Sequence, residues 1–218
     1  MAGNFSIHDY FSGGAVLVTG ASGYVGGLVL EKLLRCTDVE KVYIMLRSKK
    51  GEDMQSRLDK MINSSPLMHL LRGNPVLRKI RAIAGDMTAV GLGISLTDRQ
   101  LLQRDVQTVV HCAADIRLEV GIQELLRANY EGTRQLLDMA RSFDNLQAFV
   151  HVSSAYTNMN AEPGSLVKEA IYPLSYGDQL VDDHELVQVG SGNLCVCECL
   201  EQALAGCGHA VWASLLRM

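Results

Sequence analysis

Val16-Leu-Val-Thr-Gly-Ala-Ser-Gly-Tyr-Val-Gly26 is the stretch that decides the fold. Its apolar start reads as a buried strand, its glycines as a sharp turn, and Tyr24 to Arg35 as the helix that follows. Gly20, Gly23 and Gly26 each remove a Cβ where a diphosphate or a packed backbone must come close. The helix would aim its free N-terminal N–H groups at that diphosphate. The spacing is Gly-x-x-Gly-x-x-Gly, and no Gly-Lys-Ser/Thr follows, so a mononucleotide P-loop is excluded. A tight strand-to-helix turn is the plain alternative. The correct context on both sides favours a dinucleotide site.

The rest of the chain repeats the alternation. Lys41 to Arg47 is a second run of strand length, and Glu52 to Leu71 has helical spacing with Asp53 near its start. Further strands are expected at Ile80 to Ala84, Thr108 to Ala113 and Ala148 to Ser153, with a long amphipathic helix from Gly121 to Phe143. Strands alternating with helices predict an α/β fold, a doubly wound parallel sheet. In such sheets ligands sit beyond the carboxyl ends of the strands. The glycine loop, Arg47, Asp86, the residues after Val110, and Ser153-Ser154 all fall there.

Composition narrows the class. The 218 residues are 48% hydrophobic and 20% charged, an ordinary globular balance. A net charge of −4 leaves no electrostatic footprint for nucleic acid. Met1 to Tyr10 is polar, without a basic segment or an apolar run, so no secretory signal is expected. With that reading, the six cysteines belong to a reducing compartment and disulfides are not expected. After Pro173 the pattern changes. The expected division is a dinucleotide-binding domain over 1–176 and a divergent tail over 177–218. The tail's apolar stretch is broken by Glu198, Glu201, Gln202 and His209, which argues against a membrane-spanning helix. Cys195, Cys197, Cys199, Cys207 and His209 lack the paired spacing of zinc knuckles, so no metal is expected.

Individual residues refine the ligand. An acidic residue ending the second strand suits the ribose 2′-hydroxyl of NAD. This chain has Arg47 there, followed by Ser48, Lys49 and Lys50, which suits the 2′-phosphate of NADP. A solvated basic turn is the plain alternative. Asp86 closes the third strand, where a carboxylate can accept from an adenine amino group or cap a helix, and both readings stay open. His111 reads as a strand histidine satisfied by packing, and Cys112 as a buried small hydrophobic residue with neither a helix N-terminus nor a cation beside it to activate it. Asn129, within the long helix, is placed to bond a neighbouring backbone. Ser154, beyond the fifth strand, can donate to a substrate carbonyl as it becomes an alkoxide; an ordinary turn serine is the alternative.

Taken together, these motifs resemble the extended short-chain dehydrogenase/reductase superfamily, and more closely the N-terminal Rossmann domain of fatty acyl-CoA reductases. The resemblance runs through Val-Thr-Gly-Ala-Ser-Gly-Tyr-Val-Gly, Lys-Val-Tyr-Ile-Met-Leu-Arg, Ser56-Arg57-Leu58, Ala84-Gly-Asp-Met and Val110-His-Cys-Ala-Ala. It continues through Asn129-Tyr-Glu-Gly-Thr, Phe149-Val-His-Val-Ser-Ser-Ala-Tyr and Val167-Lys-Glu-Ala-Ile-Tyr-Pro173. It implies NADPH as cofactor, long-chain acyl-CoA as substrate, and reduction through an aldehyde to a primary alcohol. Gly20, Gly23, Gly26 and Arg47 are implied as cofactor contacts, and Ser154 as the catalytic hydroxyl. An intracellular, cytosol-facing location is implied, as family members associate with endoplasmic reticulum or peroxisomal membranes. Any membrane association of this chain would come through segments it lacks.

The superfamily's acid is a tyrosine with a lysine four residues later. Here Tyr156 is followed by Asn160, Tyr172 by Tyr176 and Tyr176 by Leu180, and the last lysine is Lys168. The expectation is a Rossmann domain incomplete at its C-terminus, with a partial active site. A non-catalytic NADP(H)-binding fragment and a thioester reductase of the same superfamily are the alternatives.

Overall fold

The protein is described by a computed structural model, covering residues 6–48, 52–117, 119–154, 164–166, 175–176 and 179–180. Tyr156, the Val167–Pro173 stretch and the tail cysteines lie outside the described residues.

Five parallel strands form the sheet: β1 (Ala15–Thr19), β2 (Lys41–Leu46), β3 (Ile80–Ala84), β4 (Val106–His111) and β5 (Ala148–His151), in the order β3-β2-β1-β4-β5. Successive side chains of a strand point to opposite faces, and here both faces are apolar. Val16 and Val18 of β1 pack with Val42, Ile44 and Leu46 of β2 in one core. Ala15 and Leu17 pack with Tyr43, Val109 and Phe149 in the other. Leu30, Leu33 and Leu34 of α2 (Tyr24–Cys36) and Leu58 and Ile62 of α3 (Met54–Ser64) close the first core. Leu102 of α4 (Leu96–Asp105) and Leu136, Leu137, Met139 and Ala140 of α6 (Gly132–Ala140) close the second. The sheet is therefore doubly wound, as the alternation predicts.

Several boundaries differ from expectation, each for a local reason. The helix expected over 52–71 divides. Asp53 caps α3 through the Gln55 and Ser56 N–H groups, but Pro66 requires extended backbone at Ser65, and a 3₁₀ turn over Pro66–Leu71 follows. Strand β4 starts two residues earlier than expected and stops at His111, with a register shift against β1 between Ala15 and Val16. Strand β5 stops at His151. The long helix runs as α5 (Ile122–Leu125), a π-helical stretch over Leu126–Glu131, and then α6. Two short elements escaped the sequence reading: α1 (Ile7–Phe11), which buries nothing, and α4, whose sole buried residue is Leu102. A two-residue antiparallel pair joins Ser175–Tyr176 to Gln179–Leu180. Among the described residues no helix is long and apolar enough to cross a membrane.

At the amino end of the sheet, the fully buried Tyr43 reaches Asp105 with its hydroxyl, donating to Oδ2 at 2.5 Å. Arg104 Nε holds Oδ1 at 2.7 Å and Lys41 lies 3.4 Å from Oδ2. Arg104 first, then Tyr43, draws the carboxyl down to about 2. Because the folded value lies below the unfolded one, this stabilisation is full above pH ~4 and is lost as pH falls towards about 2. Tyr43→Phe keeps the ring and removes one charge-assisted hydrogen bond. The expected cost is about 1–2 kcal/mol in urea unfolding at pH 7, with the gap to wild type narrowing as pH falls below 4.

Candidate functional site

Parallel strands in one register bring their carboxyl ends to one edge. Thr19 pairs with Met45 and His111, Leu46 with Ala84, and His111 with His151. The loops after these residues carry the glycine turn, Arg47, Asp86, the Cys112–Arg117 segment and Ser154. All the sequence-predicted site residues therefore occupy the same edge. The strand order reverses between β1 and β4, which is where a doubly wound sheet opens its crevice.

The three motif glycines divide their labour. Gly20 has φ +69°, and a Cβ there would meet Cys112 carbonyl carbon and oxygen and Ala113 nitrogen at 2.7 Å. It allows the loop after β1 to lie directly on the loop after β4. A Cβ on Gly26 would collide with the Gly20 carbonyl oxygen and come within 2.6 Å of its carbon, so Gly26 seats α2 against the turn. Gly23 is different. It is exposed, its added Cβ would come no closer than 3.3 Å, to the Gly20 oxygen, and it is the N-cap residue of α2 with no side-chain cap bond. Helices α3 and α4 begin on the capping side chains of Asp53 and Ser95, whereas α2 begins bare, with no acidic residue in its first turn. An uncompensated helix start beside exposed small residues has the chemistry that a diphosphate requires, so the loop fits a dinucleotide.

Arg47 stands just past β2 and is exposed. Its charge is felt by two carboxylates. Asp86 is held below the usual carboxylate range first by the Thr88 backbone N–H, with Arg47 among the further causes. Asp115 is drawn down to about 2 first by the Arg117 guanidinium, again with Arg47 contributing. Asp86 caps no helix: its Oδ1 accepts from the Thr88 N–H at 2.9 Å and hydroxyl at 2.8 Å, closing a short side-chain turn. Arg57, on α3, donates from Nη1 to the Arg47 carbonyl oxygen and so carries a second guanidinium to the end of β2. The sequence holds Arg57 in view, but its ten-residue separation from Arg47 announces no contact until the connection and helix are folded. The loop after β4 is clamped by Asn129, whose Oδ1 accepts from Asp115 N–H at 2.7 Å while its Nδ2 donates to Asp115 oxygen at 2.9 Å. Asn129 lies in the π-helical stretch, and its role is structural, as expected.

His111 ties the edge together from below. It is fully buried, and both ring nitrogens are bonded: Nδ1 to Thr19 Oγ1 at 2.6 Å and Nε2 to Thr133 Oγ1 at 2.7 Å. Thr133 donates its hydroxyl proton to Asn129 oxygen at 2.6 Å, so it accepts from Nε2–H. Nδ1 is then the acceptor for Thr19, whose oxygen accepts in turn from Ala113 N–H at 3.2 Å. The network thus assigns one neutral tautomer, and every proton in the chain has one place. Burial, with the neighbouring His151, lowers the imidazole pKa to about 3. Burial also pushes the half-buried Cys112 thiol up to about 11, which removes it as a nucleophile. Ser154 lies exposed beyond β5, three residues after His151. Among the described residues no cluster of three metal-ligating side chains forms.

A family model described as male sterility protein, an NAD-binding family, matches residues 18–192. Fatty acyl-CoA reductase 1 of Mus musculus is 36% identical over 170 residues, covering 77% of this chain and 32% of that protein. The chain thus spans about a third of the length of the curated relatives it matches. Among solved structures, the terminal R domain of the myxalamid PKS-NRPS pathway superposes with a TM-score of 0.66 at 20% identity, over 93% of this chain and 48% of that one. Gre2 of Candida albicans, solved with NADPH, gives 0.59 at 15% identity, over 92% and 56%. These two likenesses carry the fold.

The buried imidazole makes a pH prediction. Its folded pKa lies below the unfolded value, so the unfolded chain binds the extra proton and stability falls as pH drops below ~6.5. The expected contribution is a loss of about 2 kcal/mol between pH 7 and pH 5 in urea unfolding. His111→Gln is expected to be less stable at pH 7 and to lose most of that slope.

Proposed function

The chain belongs to the NAD-binding family described as male sterility protein, and from that membership we propose that it forms the NADPH-holding half of a fatty acyl-CoA reductase. The observation that carries this reading is the gathering of the bare α2 start, Arg47 and Asp86 on one edge of the sheet. Gly23 and the first-turn N–H groups of α2 hold the diphosphate. The Arg47 guanidinium, with Arg57 beside it, grips the 2′-phosphate, which selects NADPH over NADH. Asp86 accepts from the adenine amino group through the oxygen that Thr88 leaves available. Gly20 and Gly26 serve by setting the loop's shape.

Bound NADPH supplies hydride for reducing a long-chain acyl thioester to the aldehyde, with release of CoA, and the aldehyde to the alcohol. Ser154 donates a hydrogen bond to the substrate carbonyl oxygen, where negative charge develops. The superfamily places a tyrosine and lysine beside that hydroxyl, and no Tyr-x-x-x-Lys occurs in these 218 residues. The domain over 1–176 therefore binds the cofactor, and these residues alone do not turn it over. The reading goes with a cytosol-facing, reducing location.

Titration of the purified 218-residue chain is expected to show NADPH binding at least tenfold tighter than NADH. Arg47→Ala is expected to weaken NADPH about tenfold or more while leaving NADH nearly unchanged, as one charge-assisted phosphate contact is worth about 1.5–3 kcal/mol. Equal affinities in the wild type would end the NADPH assignment. With NADPH and palmitoyl-CoA, the absorbance of the reduced nicotinamide is expected to stay constant, and its sustained loss would refute the incomplete site.

A further inference from the structure

After Asp86 the chain makes a turn that the strand pattern does not require. Gly91, Leu92 and Gly93 follow one another with φ of +62°, +59° and +60°. Leu92 is the one non-glycine with positive φ among the described residues. A leucine adopts that conformation only where its surroundings hold it, and here they do. Its side chain is fully buried, in the core cluster that contains Ile83, Leu102 and Leu136. Gly91 N–H donates to Gln135 Oε1 at 2.7 Å, and Arg99 Nη2 donates to Gly91 oxygen at 3.2 Å. The product of this turn is a carbonyl aimed back at the strand end: Asp86 N–H donates to Leu92 oxygen at 2.8 Å.

The other side of the Asp86 loop is equally confined. A Cβ on Gly85 would lie 2.6 Å from Met45 Sδ and 3.2 Å from Leu92 oxygen, and a Cβ on Gly132 would lie 2.5 Å from Met87 oxygen. Asp86 is thus fixed through its own N–H, through the residue before it and through the residue after it.

We propose that the left-handed turn Gly91–Gly93 is a positioning device that presents the Asp86 carboxylate to a 6-aminopurine, making the base itself a determinant of cofactor binding. The inference rests on the assignment of Asp86 to the adenine. The phosphate grip of Arg47 reads the ribose; the turn reads the base. Leu92 and its flanking glycines touch no ligand and act through the Asp86 backbone.

The test compares NADPH with its 6-deamino purine analogue, in which hydrogen replaces the amino group and the carboxylate is left without that donor. Nicotinamide fluorescence gives both dissociation constants for the full 218-residue chain. The wild type is expected to prefer the adenine form about tenfold. A Cβ on Gly93 would make only ordinary contacts, with Ala89 Cβ at 3.5 Å and Asp86 nitrogen at 4.0 Å, so a small substituent there is felt first through its φ of +60°. Gly93→Val, which disfavours the left-handed region, is expected to bring the preference down to about twofold or less. Gly93→Asn, which tolerates that region, is expected to retain it. Gln135→Ala, which removes the acceptor for Gly91 N–H, is expected to reduce it about threefold and provides the reading if Gly93→Val does not fold. Asp86→Ala is expected to abolish it. If Asp86→Ala leaves the preference intact, the adenine assignment fails and the inference with it. If Asp86→Ala abolishes the preference while both Gly93→Val and Gln135→Ala, folded, keep it, the adenine assignment stands and the positioning role of the turn is overturned.

Discussion

Where Gly20 lies against Cys112 and Ala113, two strand-end loops touch backbone to backbone, and the rest of the site is built around that contact. The added Cβ that would sit 2.7 Å from three backbone atoms is the measure of the constraint. From it follow the left-handed turn at Gly20, the seating of α2 through Gly26, and the burial of Thr19 and His111 beneath the crevice. The Thr19–His111–Thr133 chain then links β1, β4 and the helix that carries Asn129. Asn129 in turn fixes the loop after β4 that Gly20 leans on. The contact is closed into a set of mutually supporting hydrogen bonds, of which the one from Thr19 to Nδ1 needs a neutral imidazole.

The glycine run and the alternation of strands with helices are legible from residue types, because continuous apolar runs of strand length and glycine spacing are local signals. The parallel sheet with helices on both faces and the gathering at the carboxyl edge follow from that pattern, whereas the order β3-β2-β1-β4-β5 is a property of the fold. Other features are made by tertiary contact and leave little local trace. Leu96-Thr-Asp-Arg-Gln-Leu-Leu-Gln-Arg-Asp forms a helix while burying Leu102 alone, so its apolar face is too thin to read. The break at Pro66 was readable in principle, since the residue before a proline avoids helical backbone. Asp86 left two readings open, and the fold replaces helix capping with a side-chain turn onto Thr88. Gly91 and Gly93 are individually common loop glycines; the leucine between them in the left-handed region is visible only when φ is measured. By spacing the motif glycines are alike, whereas in the fold two shape the backbone and Gly23 alone faces outward.

Charge is distributed along the edge with a division of labour. The α2 start offers partial positive charge from the backbone, without a capping side chain, and Arg47 and Arg57 add full positive charge at the end of β2. Asp86 and Asp115 balance Arg47 from the neighbouring loops. Such a surface suits a ligand whose phosphates and base lie at separate places, as they do in a phosphorylated dinucleotide. Reducing a carbonyl needs a proton donor for its oxygen as well as hydride, and holding a hydride donor is a separate property from using one.

Amide hydrogen exchange of the 218-residue chain, with and without NADPH, tests the central claim most directly. NADPH is expected to slow exchange over Thr19–Gly27, at Arg47 and around Asp86, and to leave the amino edge near Lys41 and Asp105 unchanged. Unchanged exchange across the glycine loop, or protection confined to other parts of the sheet, would contradict the account.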